Sequence, residues 1–222
     1  MTTSFEILQQ RIRTAELAAH RPEGCIQLLA VSKAQSAEQI KTLAELGVRD
    51  FGENYLQEAL PKIHALSDLH LHWHFIGHIQ RKKAKLIAQH FDWVHSVDRL
   101  DVAEALSRAR ADHVLPLNIC IQVNVSREPQ KSGVLPENLS ALIHQISLLP
   151  HLTLRGLMTI PKENDGEHAY RELHRLYCAL QEQGYELDTL SMGMSDDFEI
   201  AIAQGATLIR IGTALFGSRS TS

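Results

Sequence analysis

The apolar run from Ile26 to Lys33, IQLLAVSK, ends on a single lysine. Strand alternation puts Leu29, Val31 and Lys33 on one face and Leu28, Ala30 and Ser32 on the other. If the first face looks into a core, the ammonium stands among apolar walls. Desolvation then lowers its pKa from about 10.4 and favours the neutral, nucleophilic amine. Such a lysine suits a Schiff base with an aldehyde. The plainer alternative is a strand-end lysine that reaches water or pairs with Glu53.

Two stretches near the C-terminus bear on that choice. Met192-Gly-Met-Ser195 precedes Asp196-Asp197, and Gly212-Thr213 follows a short apolar strand. Glycines let a backbone approach a phosphate, and small hydroxyls and loop amides hold it. Asp196, with Glu199 three residues on, is expected to cap the next helix, leaving the Ser195 hydroxyl to a ligand. Gly193 and Gly212 could equally be ordinary tight turns. Arg210 interrupts Leu208-Ile209 and Ile211 in a strand that should be buried, and a buried guanidinium needs an acceptor. A core carboxylate would serve. So would the ring nitrogen of pyridoxal 5'-phosphate (PLP), which protein sites meet with Asp or Arg. A lysine, two phosphate-type loops and an arginine two residues before Gly212 together describe a PLP site.

These residues need elements to bring them together, and the chain alternates strand and helix along its length. Apolar strands are expected at 26–33, 48–53, 71–76, 91–97, 117–125, 152–160, 187–192 and 207–211. Helices are expected at 36–46, 54–65, 81–90, 100–111, 136–149, 164–183 and 197–204. Ser36 with Gln39 forms a capping box, and Pro136 stands at a first helical turn. An amphipathic N-terminal helix at about 4–20 carries Phe5, Leu8, Ile12, Ala15 and Ala19 on one stripe and is expected to cap the lower end of the fold. Eight βα units in 222 residues predict one domain over 1–222, an α/β fold with a closed (β/α)8 barrel. The alternative, an open doubly wound sheet, normally carries a glycine-rich turn after its first strand, and none is present.

Composition narrows the function classes. No apolar run is long enough to cross a bilayer, and the N-terminus lacks the apolar core of a secretory signal. A net charge of -4 argues against nucleic acid as the main partner. Three widely separated cysteines, Cys25, Cys120 and Cys178, suggest neither a disulfide framework nor a zinc site and fit a reducing cytosol.

The segments LLAVSK (28–33), FGENYLQEAL (51–60), HWHFIGHIQRKKAK (72–85), VHSVDRLDVAEAL (94–106), IQVNVSREPQKSGV (121–134), RGLMTIP (155–161), LSMGMSDDFEIAIAQGAT (190–207) and IRIGTALFG (209–217) cover most of the chain. Together they resemble the YggS/PROSC family of PLP homeostasis proteins. That family is similar to the barrel domain of alanine racemase without its second, β-rich domain. The resemblance implies a cytosolic, monomeric protein that holds PLP as a Schiff base on Lys33, without robust turnover. It also implies a role in vitamin B6 homeostasis and transient contact with PLP-dependent enzymes. By position, Ser195, Gly212 and Thr213 hold the phosphate, Arg210 faces the pyridine nitrogen, and Asn54 and Met192 form walls. Arg81-Lys82-Lys83 departs from the Ser-Asn-Lys expected in many relatives.

Two rival readings come from other features. A PLP-dependent racemase needs a base on each face of the substrate. Tyr55 is the only tyrosine expected near a strand's C-terminal end, and the chain leaves no room for the second racemase domain. His70, His72 and His74 recur at period two, with His78 nearby, as in a metal-dependent hydrolase barrel, but a chain with 13 histidines makes such spacing by accident. The basic cluster Arg81, Lys82, Lys83 and Lys85 reads as a solvated face, and Trp73 and Trp93 as core.

Overall fold

A computed structural model describes residues 3–217. Its strands are β1 (Gln27–Val31), β2 (Asp50–Glu53), β3 (His72–Phe75), β4 (Trp93–Val97), β5 (Leu117–Gln122), β6 (Leu152–Met158), β7 (Thr189–Ser191) and β8 (Leu208–Ile211). They pair in sequence order, all parallel, and β8 returns to β1 to close the barrel. Helix α1 (Ser4–Ala18) precedes the barrel. The crossovers carry α2 (Ala37–Glu45), α3 (Leu56–Ala65), α4 (Ala84–His90), α5 (Leu100–Arg110), α6 (Pro136–Ser147), α7 (Gly166–Glu182) and α8 (Phe198–Ala203), and the short α9 (Thr213–Phe216) follows β8.

Local chemistry sets the ends of these helices. Thr3 with Glu6 and Ser36 with Gln39 form reciprocal capping boxes at α1 and α2, and Pro136 opens α6. The expected helix from residue 81 begins instead as a 3-10 turn at Arg81–Lys83, with α helix only from Ala84. Its start has no side-chain cap, and three positive charges oppose the helix dipole there. β5 ends at Gln122 rather than Val125, because Val134 bridges Val123 and its amide bonds the Gln122 carbonyl.

The apolar core lies mainly between strands and helices, where Ile40, Phe51, Ile79, Ile87, Leu106, Ile119, Tyr170 and Phe198 are fully buried. Each such aliphatic or phenyl side chain stabilises the fold by about 1.5–3 kcal/mol. α1 leans on α8, where Arg11 pairs with Glu199 and lies 4.6 Å from the Phe198 ring centre. With Ile26, Leu28, Val48 and Asp50 it also encloses a cavity of about 440 Å³ at the N-terminal ends of β1 and β2.

Gly156 of β6 packs tightly against Thr189 of β7. A Cβ there would lie 1.7 Å from the Thr189 carbonyl oxygen, at the point where the β5–β6 register shifts. Gly156→Ala therefore has to displace backbone, and we expect a loss of about 3 kcal/mol or more in urea denaturation.

Candidate functional site

Closure of the barrel brings the ends of β7, β8, β1 and β2 side by side. Leu29 is in register with Arg210 of β8, so residues of its parity on β1 face the lumen. Ser32 has the opposite parity: its hydroxyl donates to Glu53 Oε1 at 2.7 Å, and Lys62 of α3 donates to the same oxygen at 2.7 Å and to the Ser32 carbonyl at 2.8 Å. Lys33 is the next residue of lumen parity and is half-buried. Directly after it, Ala34 takes a left-handed φ of 61°, and its amide donates to Glu58 Oε2 at 3.0 Å. That conformation costs a non-glycine residue about 1 kcal/mol, and it fixes the direction in which the chain leaves β1.

The loops after β7 and β8 are joined to each other and to β1. The Ala214 amide donates to Ser195 Oγ at 3.3 Å. Gly212 caps α9, and a Cβ added there would stand 3.4 Å from the Val31 carbonyl oxygen, two residues before Lys33. The amides of the first turn of α9 thus open beside the end of β1. Gly193 has φ 94°, and a Cβ on it would meet that of Ala201 at 2.6 Å, so this position requires glycine. Met192 is fully buried, its amide bonded to the Leu208 carbonyl at 3.1 Å. At the end of β2, Asn54 Oδ1 is buried without a hydrogen-bond partner.

Asp196 does not cap α8 as expected. Asp197 occupies the cap position and turns back, accepting from the Met194 amide at 2.7 Å and from the Tyr170 hydroxyl at 2.7 Å. Burial, and then the Asp197 carboxylate, push the Tyr170 phenol well up, so it remains a donor. Glu199, the expected partner in that cap, binds Arg11.

Behind the rim, the lumen holds polar side chains. Arg210 is buried, and its Nη1 donates to Ser191 Oγ at 2.9 Å while Nη2 donates to the Thr159 carbonyl at 2.8 Å. Ser191 Oγ lies 2.8 Å from His95 Nδ1, His95 Nε2 lies 3.0 Å from His74 Nδ1, and His74 Nε2 lies 3.0 Å from Asp50 Oδ1. These contacts link β8, β7, β4, β3 and β2, and the step from β7 to β4 crosses the inside of the barrel. Burial lowers the pKa of both histidines: for His74 it outweighs the Asp50 carboxylate, while for His95 the neighbouring His74 and Arg210 push further down. Burial alone would raise Asp50, but the hydrogen bond to His74 holds it below the usual carboxylate value.

All seven residues selected from the sequence, Lys33, Asn54, Met192, Ser195, Arg210, Gly212 and Thr213, lie on β8 or at the C-terminal ends of β1, β2, β7 and β8. An amine, a hydroxyl, first-turn amides and a guanidinium can together hold an anion bearing a carbonyl group. The histidine triplet serves otherwise. His74 is committed to the lumen, exposed His72 touches Asp50 at 3.2 Å, and His70 ends a 3-10 turn. Among the described residues no group of three or more His, Cys, Asp or Glu is arranged to hold a metal ion. Sequence reasoning missed Ser191, His95, Tyr170 and Asp197. The signal for His95 was present: WVHSV places a histidine at an inner position of the strand beside HWH.

Known proteins are similar to this chain in sequence and fold. A pyridoxal phosphate homeostasis protein of Pseudomonas aeruginosa is 55% identical over 212 residues, 94% of this chain and 91% of the relative. The chain belongs to the pyridoxal phosphate homeostasis protein family. The Escherichia coli K12 member is 43% identical over 222 residues, 97% of this chain and 95% of that one. The alanine racemase N-terminal domain family also matches, over residues 6–220. The structure of PipY from Synechococcus elongatus with PLP bound has a TM-score of 0.81 at 39% identity, covering 93% of this chain and 99% of that one. Alanine racemase of Corynebacterium glutamicum shares the fold, with a TM-score of 0.69 at 18% identity, and this chain covers 61% of it.

The two buried histidines predict how stability depends on pH. Unfolded, both imidazoles gain protons below their usual value of 6.5, whereas in the folded state burial holds that gain off to lower pH. The unfolded state then binds more protons, so stability is complete above about pH 7 and falls as pH drops, by up to about 1.4 kcal/mol per pH unit for each histidine. Urea denaturation across pH 5 to 8 should show this slope, and His95→Gln should roughly halve it.

Proposed function

We propose that this protein binds PLP, held as a Schiff base on Lys33, and takes part in intracellular vitamin B6 homeostasis and delivery without robust catalytic turnover. The observation that carries this reading is the meeting of the end of β1 with the loops after β7 and β8, through Gly212 beside Val31 and Ser195 bonded to Ala214. When bound, PLP supplies an aldehyde that condenses with a primary amine, with loss of water, and an aromatic ring that draws electrons.

The residues fit that group. Lys33 offers the amine. Ser195, Thr213 and the amides of Gly212 and Thr213 offer donors for a phosphate. Arg210 offers a fixed positive charge to the ring nitrogen, which an arginine leaves unprotonated. Asn54 carries a buried carbonyl oxygen with unfilled acceptor capacity, and Met192 closes a wall. A role without turnover is supported by the homeostasis names of the relatives and by Tyr55, which is 59% exposed at the start of α3 rather than enclosed as a second base. We place the protein in the cytosol as a monomer that contacts PLP enzymes transiently. Its three cysteines are free thiols, and among the described residues no helix is long and apolar enough to cross a membrane.

Purified protein should be yellow, stay so in chelator, and after borohydride yield a cofactor-peptide adduct at Lys33 by mass spectrometry. Lys33→Ala should lose the adduct, and L-alanine should not be racemised faster by wild type than by that variant on a chiral column. An adduct on another lysine, or racemisation above the control, would overturn the assignment.

Gly212→Ala separates folding from binding. Its Cβ would make only ordinary contacts with β1, so the melting temperature should hardly move. On this reading the added methyl crowds the backbone that approaches the phosphate, and PLP affinity, read by absorbance titration, should fall about tenfold or more.

A further inference from the structure

The string from Arg210 to Asp50 has one consistent direction. An arginine can only donate and a carboxylate can only accept, so the two ends are fixed. Arg210 Nη1 donates to Ser191 Oγ, and His74 Nε2 must carry the proton that reaches Asp50 Oδ1. A neutral His74 then has an accepting Nδ1, so His95 Nε2 must donate to it. A neutral His95 in turn has an accepting Nδ1, which leaves the Ser191 hydroxyl as its donor. All four bonds, of 2.8 to 3.0 Å, run the same way from the guanidinium to the carboxylate.

We propose that Asp50, His74, His95 and Ser191 are positioning residues for Arg210: a directional hydrogen-bond string, with both histidines as neutral Nε2–H tautomers, that fixes the guanidinium that would face the cofactor's ring nitrogen. His74, His95 and Ser191 are fully buried, so a broken link cannot be replaced by bulk water. Ser191 and the Thr159 carbonyl hold the two Nη atoms of Arg210 in one plane, and Thr159 is itself fixed by its hydroxyl bond to the Val123 carbonyl at 2.8 Å. The other ionisable groups facing the string are Asp92 toward His74, His72 toward both His74 and Asp50, whose Oδ1 it touches at 3.2 Å, and Tyr170, Asp197 and Cys120 toward Arg210. None of them supplies a bond of the string.

The inference rests on the reading of Arg210 as the ring-nitrogen partner, but its first test does not. Long-range 1H–15N spectra of the full chain without PLP should show His74 and His95 as neutral Nε2–H tautomers from about pH 6 to 8. An imidazolium or an Nδ1–H tautomer at either position would overturn the direction of the string.

The second test uses paired variants of the PLP-loaded protein. Ser191→Ala and His95→Leu break the string. Ser191→Thr keeps the hydroxyl, and His95→Gln keeps one acceptor and one donor. The first pair should shift the visible absorption band and its pH midpoint and weaken PLP binding about five- to tenfold, while the second pair should restore wild-type values. Unchanged spectra in Ser191→Ala, or equal losses in Ser191→Ala and Ser191→Thr, would overturn the positioning role. Circular dichroism confirms folding, and the Ser191 pair decides the result if His95→Leu does not fold. A protein with the expected tautomers that takes up no PLP would sink the proposed function and leave the string standing.

Discussion

The hydrogen-bonded seam between β1 and β8 governs the rest of the molecule. Four consecutive residue pairs, from Gln27 with Leu208 to Ala30 with Ile211, bring the first strand of the sheet against the last. That register sets Leu29 opposite Arg210 and leaves the chain emerging from β1 beside the start of α9. Residues almost 180 positions apart thereby share one rim. An open sheet would place β1 and β8 apart and dissolve the site. The loops around that rim are tied down by local bonds, Ser195 to Ala214, Asp197 to Met194 and Tyr170, and Glu58 to Ala34.

Much of this was legible in the chain. A strand of near-continuous apolar residues, as at Leu28–Val31, reads the same whether it faces helices or lumen, so the eight strands could be counted before their pairing was known. The cap at Ser36, which acts through a neighbour three residues on, was equally plain because its physics is local. Lys33, Arg210 and Gly212 stood out because each breaks an apolar strand or ends one.

What stayed hidden depends on contacts between distant segments. Whether Asp196 or Asp197 binds the loop after β7 is decided by Tyr170 on another helix, 27 positions before Asp197. His72 and His74 were visible as an alternating pair, but only the neighbouring strand makes His95 the partner of His74 in place of a metal ion. The helix expected from Arg81 failed at its first turn, where clustered positive charge without a side-chain cap overrode periodicity.

The division of the core into two zones has a consequence of its own. Cohesion comes from the greasy jacket between sheet and helices, while the central channel holds ionic and hydrogen-bonding groups in the layer where many such barrels stack branched aliphatics. Exchanges in the channel that keep each donor and acceptor satisfied can therefore retune the electrical environment at the mouth, and changes in the shell can harden the protein while leaving that environment alone.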